Sequence, residues 1–152
     1  MTNNAIMWFD PRPGRPNSIA PGRRPLSNMC PGVLRRDGAP WAAIGASGGR
    51  RSMPAVAQGI SFLTDYGCDL ATAMALPRVN ATGEGRATVD PRLTDAARAA
   101  IARAIDTVEG ELAVYPVLYA SPQAVMREPR TGTGIGAADP ALPWSGAVAA
   151  AG

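Results

Sequence analysis

A proline-rich segment near the start of the sequence constrains the fold more than any other feature. The residues from Asp10 to Pro31 are rich in proline, glycine and arginine, with prolines at positions 11, 13, 16, 21, 25 and 31. Because proline has no backbone N–H and clashes with the preceding helical turn, this segment cannot form a helix. Its last residues, RPLSNMCP, run directly into Val33 and Leu34, as a loop does before a strand. We therefore predict an ordered loop rather than a linker.

Short strands are predicted on both sides of this loop. Residues 3–9 contain the apolar run IMWF, which predicts a short buried strand. Residues 33–35 and 41–44 flank the turn-forming sequence RDGA, a pattern typical of an antiparallel hairpin. Further strands are predicted over residues 87–90, 113–115, 123–127 and 134–138, with residues 129–132 forming the turn between the last two.

Apolar residues at helical spacing predict three helices. The first stripe comprises Met53, Val56, Ala57, Ile60 and Leu63. The second, shorter helix contains Leu70, Ala73 and Met74 and is stopped by Pro77. The third begins at the N-cap Thr94 and ends at Gly110, with a stripe comprising Ala97, Ala100, Ile101, Ala104, Ile105 and Val108. This order predicts a layered α/β (α+β) arrangement in one domain, residues 1–152, rather than alternating βαβ units.

The composition excludes several kinds of site. The sequence has no histidine, which excludes Ser-His-Asp and Cys-His catalysis and nearly every zinc site. Cys30 and Cys68 are too few for a metal cluster, and they either pair or remain thiols. No apolar run approaches the ~20 residues of a membrane span. The net charge of +3 comes from scattered arginines without a nucleic-acid-binding motif, so we interpret them as solvated side chains and predict no nucleic-acid partner.

Two short motifs have the residue types of an anion site. Gly48 and Gly49 lie between a strand and the start of an apolar helix, where unpaired N–H groups favour negative charge. They fit either an oxyanion hole or a tight turn, and the residues alone favour the turn. Ser27 and Asn28 either donate hydrogen bonds to a carboxylate or cap their own turn.

Several motifs in order resemble the C-terminal part of the small subunit of gamma-glutamyltransferase. They are Asn3-Asn4 followed by MWFDPRPGRPNSIAPGRRPLSNMCP, then GASGGRR, an apolar helix, DYG, LPRV, TVDPRL and GIGAADP. The resemblance covers most of the chain. Residues 80–86 and the final tail match loosely.

The resemblance implies a partial αββα sandwich of the N-terminal-nucleophile hydrolase type. In that family a precursor cleaves itself, and the new N-terminal threonine of the small subunit is both nucleophile and general base. The implied activity is transfer of a γ-glutamyl group from glutathione-like donors to water or an amino acid, without a cofactor. The implied partners are the large subunit and the upstream part of the small subunit.

Carried over residue by residue, the resemblance gives roles to five positions. Gly48 and Gly49 stand at the oxyanion-hole glycines, and Ser27 and Asn28 stand where two serines often grip the glutamyl α-carboxylate. Trp8 falls where well-studied members have an aspartate that holds the α-amino group, which weakens the expectation of strict γ-glutamyl specificity. An acylase or amidohydrolase with another carboxylated substrate is therefore the alternative. A non-enzymatic basic module that binds an acidic partner is a less favoured one.

The threonine nucleophile has no counterpart in the sequence. In the family it lies in a Thr-His-x-Ser-like segment upstream of the Asn-Asn motif, and this chain has no histidine. Thr2 directly precedes Asn3, so it does not occupy that position. We therefore expect the chain to be a fragment that is incomplete without upstream sequence and is inactive in isolation.

Overall fold

The computed structural model describes residues 4–81, 85–111, 119–128 and 130–148. Two short 3-10 helices cover Asn4–Trp8 and Gly49–Arg51. The α-helices are α1 (Ser52–Thr64), α2 (Leu70–Ala75) and α3 (Asp95–Ala102). The strands are β1 (Gly32–Arg36), β2 (Ala39–Ser47), β3 (Val79–Ala81), β4 (Arg86–Val89), β5 (Asp106–Glu109), β6 (Ser121–Arg127) and β7 (Gly134–Ala138).

The strands form two sheets. The larger sheet is antiparallel in the order β1-β2-β6-β7, with β2 and β6 in the centre. In the smaller sheet, β4 lies between β3, which is antiparallel to it, and β5, which is parallel to it. Strands β6 and β7 confirm the predictions for residues 123–127 and 134–138, whereas β3 was not predicted.

The predicted hairpin is confirmed as β1 and β2. Its turn residues, Asp37 and Gly38, have φ angles of 50° and 79°, as expected for the two central positions of a hairpin turn of the mirror-image type. Strand β2 continues beyond the predicted Ile44 to Ser47, where it pairs with Ser121 of β6. This extension places the paired glycines directly at the end of a central strand.

The core lies between the larger sheet and helices α1 and α2. Val56 and Leu63 of α1 are buried against Ile44 of β2, and Met74 of α2 is fully buried in the same cluster. A Cβ added at Gly59 would lie 2.6 Å from Cδ1 of Ile44, so α1 packs closely on the strand because this residue has no side chain. Both helix predictions are confirmed in this region.

The predicted strand over residues 3–9 is wrong. Residues 4–8 form a 3-10 helix, and the N–H of Phe9 donates to the carbonyl of Ile6 at 3.2 Å. Ile6 and Met7 are 62% and 65% exposed, so the apolar run does not enter the core. An apolar run of this length does not by itself distinguish a strand from a helical turn.

The third predicted helix is only partly correct. Thr94 is its N-cap, since Oγ1 accepts a hydrogen bond from the N–H of Ala97 at 3.2 Å. The helix ends at Ala102, however, and Val108 lies in β5 opposite Thr88 of β4. Pairing with a neighbouring strand, which is not visible in local periodicity, determines the structure there.

The predicted strand over residues 113–115 lies outside the described residues. Within the part of the chain that is described, no helix is long and apolar enough to cross a membrane.

Candidate functional site

The turn from β2 into α1 requires glycine at two consecutive positions. Gly48 and Gly49 have φ angles of 152° and 64°, which residues with a side chain rarely adopt. A Cβ on Gly48 would lie 2.4 Å from Cβ of Ala120, so Gly48 is also needed for close packing. The turn predicted as one of two possibilities is therefore present. The oxyanion role expected for the same residues stays a prediction.

The space beside Gly49 brings together three of the residues singled out in the sequence. A Cβ added at Gly49 would lie 3.9 Å from Nδ2 of Asn28 and 3.9 Å from Cη2 of Trp8. Gly49 opens a 3-10 turn that continues directly into α1. The first N–H groups of a helix have no carbonyl partner within it, and the helix dipole favours negative charge near them.

The Asn28 side chain has unused hydrogen-bonding capacity at this point. Its Oδ1 is buried and has no hydrogen-bond partner among the described residues. A buried carbonyl oxygen without a partner is unfavourable, because it has lost its bonds to water. A bound donor group near Asn28 would remove this cost, and the Nδ2 group supplies a donor beside Gly49.

Ser27 caps its own turn, as the second interpretation of the sequence predicted. Its Oγ accepts a hydrogen bond from the N–H of Met29 at 3.2 Å. This bond uses a lone pair of the exposed hydroxyl and leaves its hydrogen available for an acceptor. Turn capping is therefore compatible with a bond from Ser27 to a carboxylate.

A groove of about 410 Å³ lies next to these residues. Its lining is mostly apolar and consists of Ala5, Met7, Trp8, Pro25, Leu26, Ser27 and Met29. Leu26 and Met29 are 72% and 74% exposed, although both are large and apolar. This groove was not predicted from the sequence, because the apolar run in residues 3–9 predicts a buried strand.

The charge near the site is positive. Arg50 and Arg51 follow Gly49 directly, and neither forms an ion pair with any acidic residue in the described ranges. Asp10, two residues after Trp8, is paired with Arg12 at 2.8 Å. The side-chain hydrogen bond from Arg12 lowers the pKa of Asp10, which keeps that carboxylate ionised. Because the Asp10–Arg12 pair is neutral overall, the charges of Arg50 and Arg51 remain and favour an anionic group.

A buried ion pair contacts the residue against which the glycine turn packs. Ala120, the residue that Gly48 packs against, also has a positive φ of 60°, and its carbonyl accepts a hydrogen bond from Nη2 of Arg78 at 3.4 Å. The same guanidinium nitrogen is paired with Asp139, and both side chains are buried. Arg78 and Asp139 lie in the motifs LPRV and GIGAADP, but the sequence alone predicts no role for them.

No metal site is found in the described ranges. They contain no group of three or more cysteine, aspartate or glutamate side chains that would hold a metal ion. Cys30 and Cys68 are free thiols that pack against the edge of the core.

Comparison with known proteins matches this chain to one family. Residues 1–149 match the family described as gamma-glutamyltranspeptidase. The chain is 38% identical over 77 residues to the glutathione hydrolase proenzyme of Bacillus subtilis strain 168, a match that covers 51% of this chain and 13% of that protein. It is 39% identical over 79 residues to the acylase ACY 1 proenzyme of Pseudomonas sp. strain SE83, which covers 52% of this chain and 14% of that protein.

A solved gamma-glutamyltranspeptidase structure has the same fold. The gamma-glutamyltranspeptidase from Pseudomonas nitroreducens, complexed with L-DON, superposes with a TM-score of 0.75 at 23% identity. The superposition covers 97% of this chain and 81% of that one. The predicted α+β fold of the N-terminal-nucleophile hydrolase type is confirmed. The chain spans only about one seventh of the curated relatives that it matches.

Proposed function

Because the chain belongs to the gamma-glutamyltranspeptidase family, we propose that it is the C-terminal part of a small subunit that transfers a γ-glutamyl-type acyl group from an amide to water or an amine. The observation that supports this proposal is that the side chains of Asn28 and Trp8 both lie near the Cα of Gly49, just before α1 begins. Backbone N–H groups at Gly48 and Gly49 stabilise the oxygen that becomes negative during acyl transfer.

The reaction requires a nucleophile from the upstream part of the small subunit. The hydroxyl oxygen of an N-terminal threonine attacks the amide carbonyl carbon, and its proton passes to the threonine's own amine. The C–N bond then breaks, and the leaving amine takes up the proton. Water or an acceptor amine next attacks the acyl ester and restores the hydroxyl. In both steps the tetrahedral oxyanion lies against the Gly48 and Gly49 amides.

The loop over Ser27 and Asn28 binds the carboxylate of the acyl group. The Ser27 hydroxyl retains its hydrogen for an acceptor, and Nδ2 of Asn28 faces the space beside Gly49. Arg50 and Arg51 add positive charge next to this loop. Glutathione-like compounds are therefore the first substrates to test. The upstream sequence and the large subunit complete the site, and no cofactor takes part.

A second candidate is an acylase whose substrate carries a carboxylate but no α-amino group. The Trp8 ring favours it, because an indole beside Gly49 gives an ammonium group no ionised partner. The groove lined by Met7, Leu26 and Met29 also suits an apolar acyl chain better than a zwitterion.

The two candidates are separated by assaying the full-length protein on matched amides. Glutathione and γ-glutamyl-p-nitroanilide carry the α-amino group, whereas glutaryl and oxamate amides lack it. A higher kcat/KM for the γ-glutamyl compounds supports the first candidate, and a higher value for the amides without the amine supports the second. If the full-length protein cleaves none of these amides, both candidates are rejected.

A further inference from the structure

The loop that follows the N-terminal 3-10 helix is closed by its own hydrogen bonds. The N–H of Asp10 donates to the carbonyl of Asn17 at 2.9 Å. Oγ of Ser18 accepts from the N–H of Arg15 at 2.7 Å and donates to the carbonyl of Arg12 at 2.5 Å. The loop is therefore closed by bonds that do not use the Asn17 side chain.

The Asn17 side chain forms hydrogen bonds to residues outside this loop through both the nitrogen and the oxygen of its amide. Nδ2 donates to the carbonyl of Trp8 at 2.6 Å, and Oδ1 accepts from the N–H of Leu26 at 3.0 Å. An asparagine amide supplies one acceptor oxygen and two donor hydrogens, so both bonds form at once. One partly buried side chain thus connects two segments that lie 18 positions apart in the sequence.

Both segments contribute residues to the lining of the groove. Trp8 belongs to the first segment, and Leu26 and Ser27, which immediately precede Asn28, belong to the second. Both Trp8 and Asn28 come within 3.9 Å of the point where a Gly49 side chain would begin. A change in the distance between the two segments therefore changes the width of the space that an acyl group would enter.

We propose that Asn17 is a positioning residue that sets the acyl selectivity of the site by fixing Trp8 relative to the Leu26–Asn28 segment. This inference rests on the proposed function, because selectivity presupposes acyl transfer at Gly49. Asn17 does not contact the acyl group and acts through the two backbone groups to which it bonds.

The test compares three variants of the full-length protein. Asn17→Ala removes both bonds, whereas Asn17→Asp keeps an acceptor for Leu26 but cannot donate to the Trp8 carbonyl when ionised. Ser18→Ala is the matched control, because it removes two bonds within the same loop and leaves the Asn17 amide unchanged. Two quantities are measured. One is the ratio of kcat/KM for glutaryl-p-nitroanilide and γ-glutamyl-p-nitroanilide, and the other is hydrogen exchange at the Leu26 amide.

We expect Asn17→Ala to change the kcat/KM ratio by about five- to tenfold, the effect of roughly one neutral hydrogen bond, mainly through KM. The Leu26 amide should exchange faster by a similar factor. In Asn17→Asp, Leu26 should exchange slowly as in the wild type while the ratio still changes. In Ser18→Ala the ratio should equal that of the wild type, since loosening the loop alone does not separate the two segments.

An unchanged ratio in Asn17→Ala overturns the inference, as does an equal change in Ser18→Ala. If the wild-type protein cleaves neither amide, the proposed function fails independently of this inference. The exchange measurement then decides alone whether Asn17 joins the two segments, and equal exchange at Leu26 in the wild type and in Asn17→Ala rejects the joining role.

Discussion

At the scale of single residues, Gly49 gives the sharpest test of the oxyanion proposal. Its φ of 64° makes alanine strained there for purely structural reasons, so Gly49→Ala would confuse a loss of stability with a loss of chemistry. Asparagine tolerates this backbone conformation better than other residues with side chains. A side chain at this position would occupy the space between Asn28 and Trp8.

We expect full-length Gly49→Asn to lose about 10²–10³ in kcat, the size of effect that follows loss of an oxyanion donor, because the new side chain would keep the tetrahedral oxygen away from the backbone N–H groups. Gly67→Asn is the matched control, because Gly67 has the same φ of 64° and nothing lies within 4 Å of its Cβ position. Both variants should have similar melting temperatures in thermal unfolding. If Gly49→Asn turns over substrate as fast as Gly67→Asn, the glycine has only its role in the turn.

Trp8 provides a test of whether the proposed site recognises a substrate amino group. If the proposed site is correct, Trp8→Asp supplies an ionised partner for an α-ammonium, and a hydrogen bond to a charged group contributes about 1.5–3 kcal/mol. We therefore expect kcat/KM for γ-glutamyl-p-nitroanilide to rise by about 10- to 100-fold relative to the glutaryl compound. Trp8→Phe keeps an aromatic ring without the charge and should produce no such rise. A ratio that stays the same in Trp8→Asp would show that the residue does not face the substrate.

At the scale of elements, the pair of Arg78 and Asp139 joins three parts of the fold. Arg78 precedes β3 and also donates to the carbonyl of Met74 at the end of α2, while Asp139 follows β7. Ala120, whose carbonyl Arg78 contacts, precedes β6. The guanidinium therefore connects the smaller sheet, helix α2 and the larger sheet at the place where Gly48 packs.

Removing one member of this pair should be costly. Arg78→Met leaves the Asp139 carboxylate buried without its partner, and losses of this kind destabilise proteins by about 3–5 kcal/mol. Replacing both residues with apolar side chains should restore part of the free energy of unfolding, since no buried charge remains. Arg98→Met is the comparison, because its partner Asp95 is 96% exposed, and it should cost far less. Urea unfolding of the wild type and of these three variants measures the differences, and equal losses for Arg78→Met and Arg98→Met would contradict the prediction.

The lowered pKa of Asp90, which directly follows β4, makes the stability of the fold depend on pH. Burial raises its pKa, but the hydrogen bonds from Arg92 outweigh burial, so the pKa lies below the ordinary 3.8. The unfolded chain therefore binds the proton more readily than the folded one, and stability increases with pH in this range. The contribution of Asp90 is complete well above pH 3.8 and is lost as the pH falls below that value. The stability difference between wild type and Asp90→Asn should shrink as the pH falls from 6 to 3, and a constant difference would refute the assignment.

The sequence predicts best those elements whose structure is determined by neighbouring residues in the chain. The hairpin is predicted because RDGA supplies Asp37 and Gly38 for its turn, and α1 is predicted because Val56 and Leu63 lie on one face. Residues 106–109 form β5 only because β4 lies beside them, a pairing that local spacing does not encode.

The candidate site is likewise predictable from the sequence only where short motifs define it. Gly48, Gly49, Ser27 and Asn28 were recognised from short motifs, whereas the groove and the Arg78–Asp139 pair depend on segments that are distant in sequence.

At the scale of the whole molecule, the apolar groove that includes Trp8 is an exposed surface of the described residues. The groove is open, and its apolar lining residues Met7, Leu26 and Met29 are 65%, 72% and 74% exposed. Large exposed apolar side chains around a site often mark a surface that another segment covers. The upstream part of the small subunit, which carries the threonine in the proposed mechanism, is the segment expected there.

We therefore predict that the pure 152-residue chain does not hydrolyse γ-glutamyl-p-nitroanilide. In the proposed mechanism, the Gly48–Gly49 amides and the Ser27–Asn28 loop stabilise a transition state that a nucleophile must first create, and binding groups alone cannot form the acyl ester. Release of p-nitroaniline is measured for the wild-type chain, for Thr2→Ala and for the full-length protein at equal concentrations. Activity should appear only in the full-length protein. Turnover by the short chain that disappears in Thr2→Ala would make Thr2 the nucleophile, and the expectation that the reactive threonine lies upstream would then be wrong.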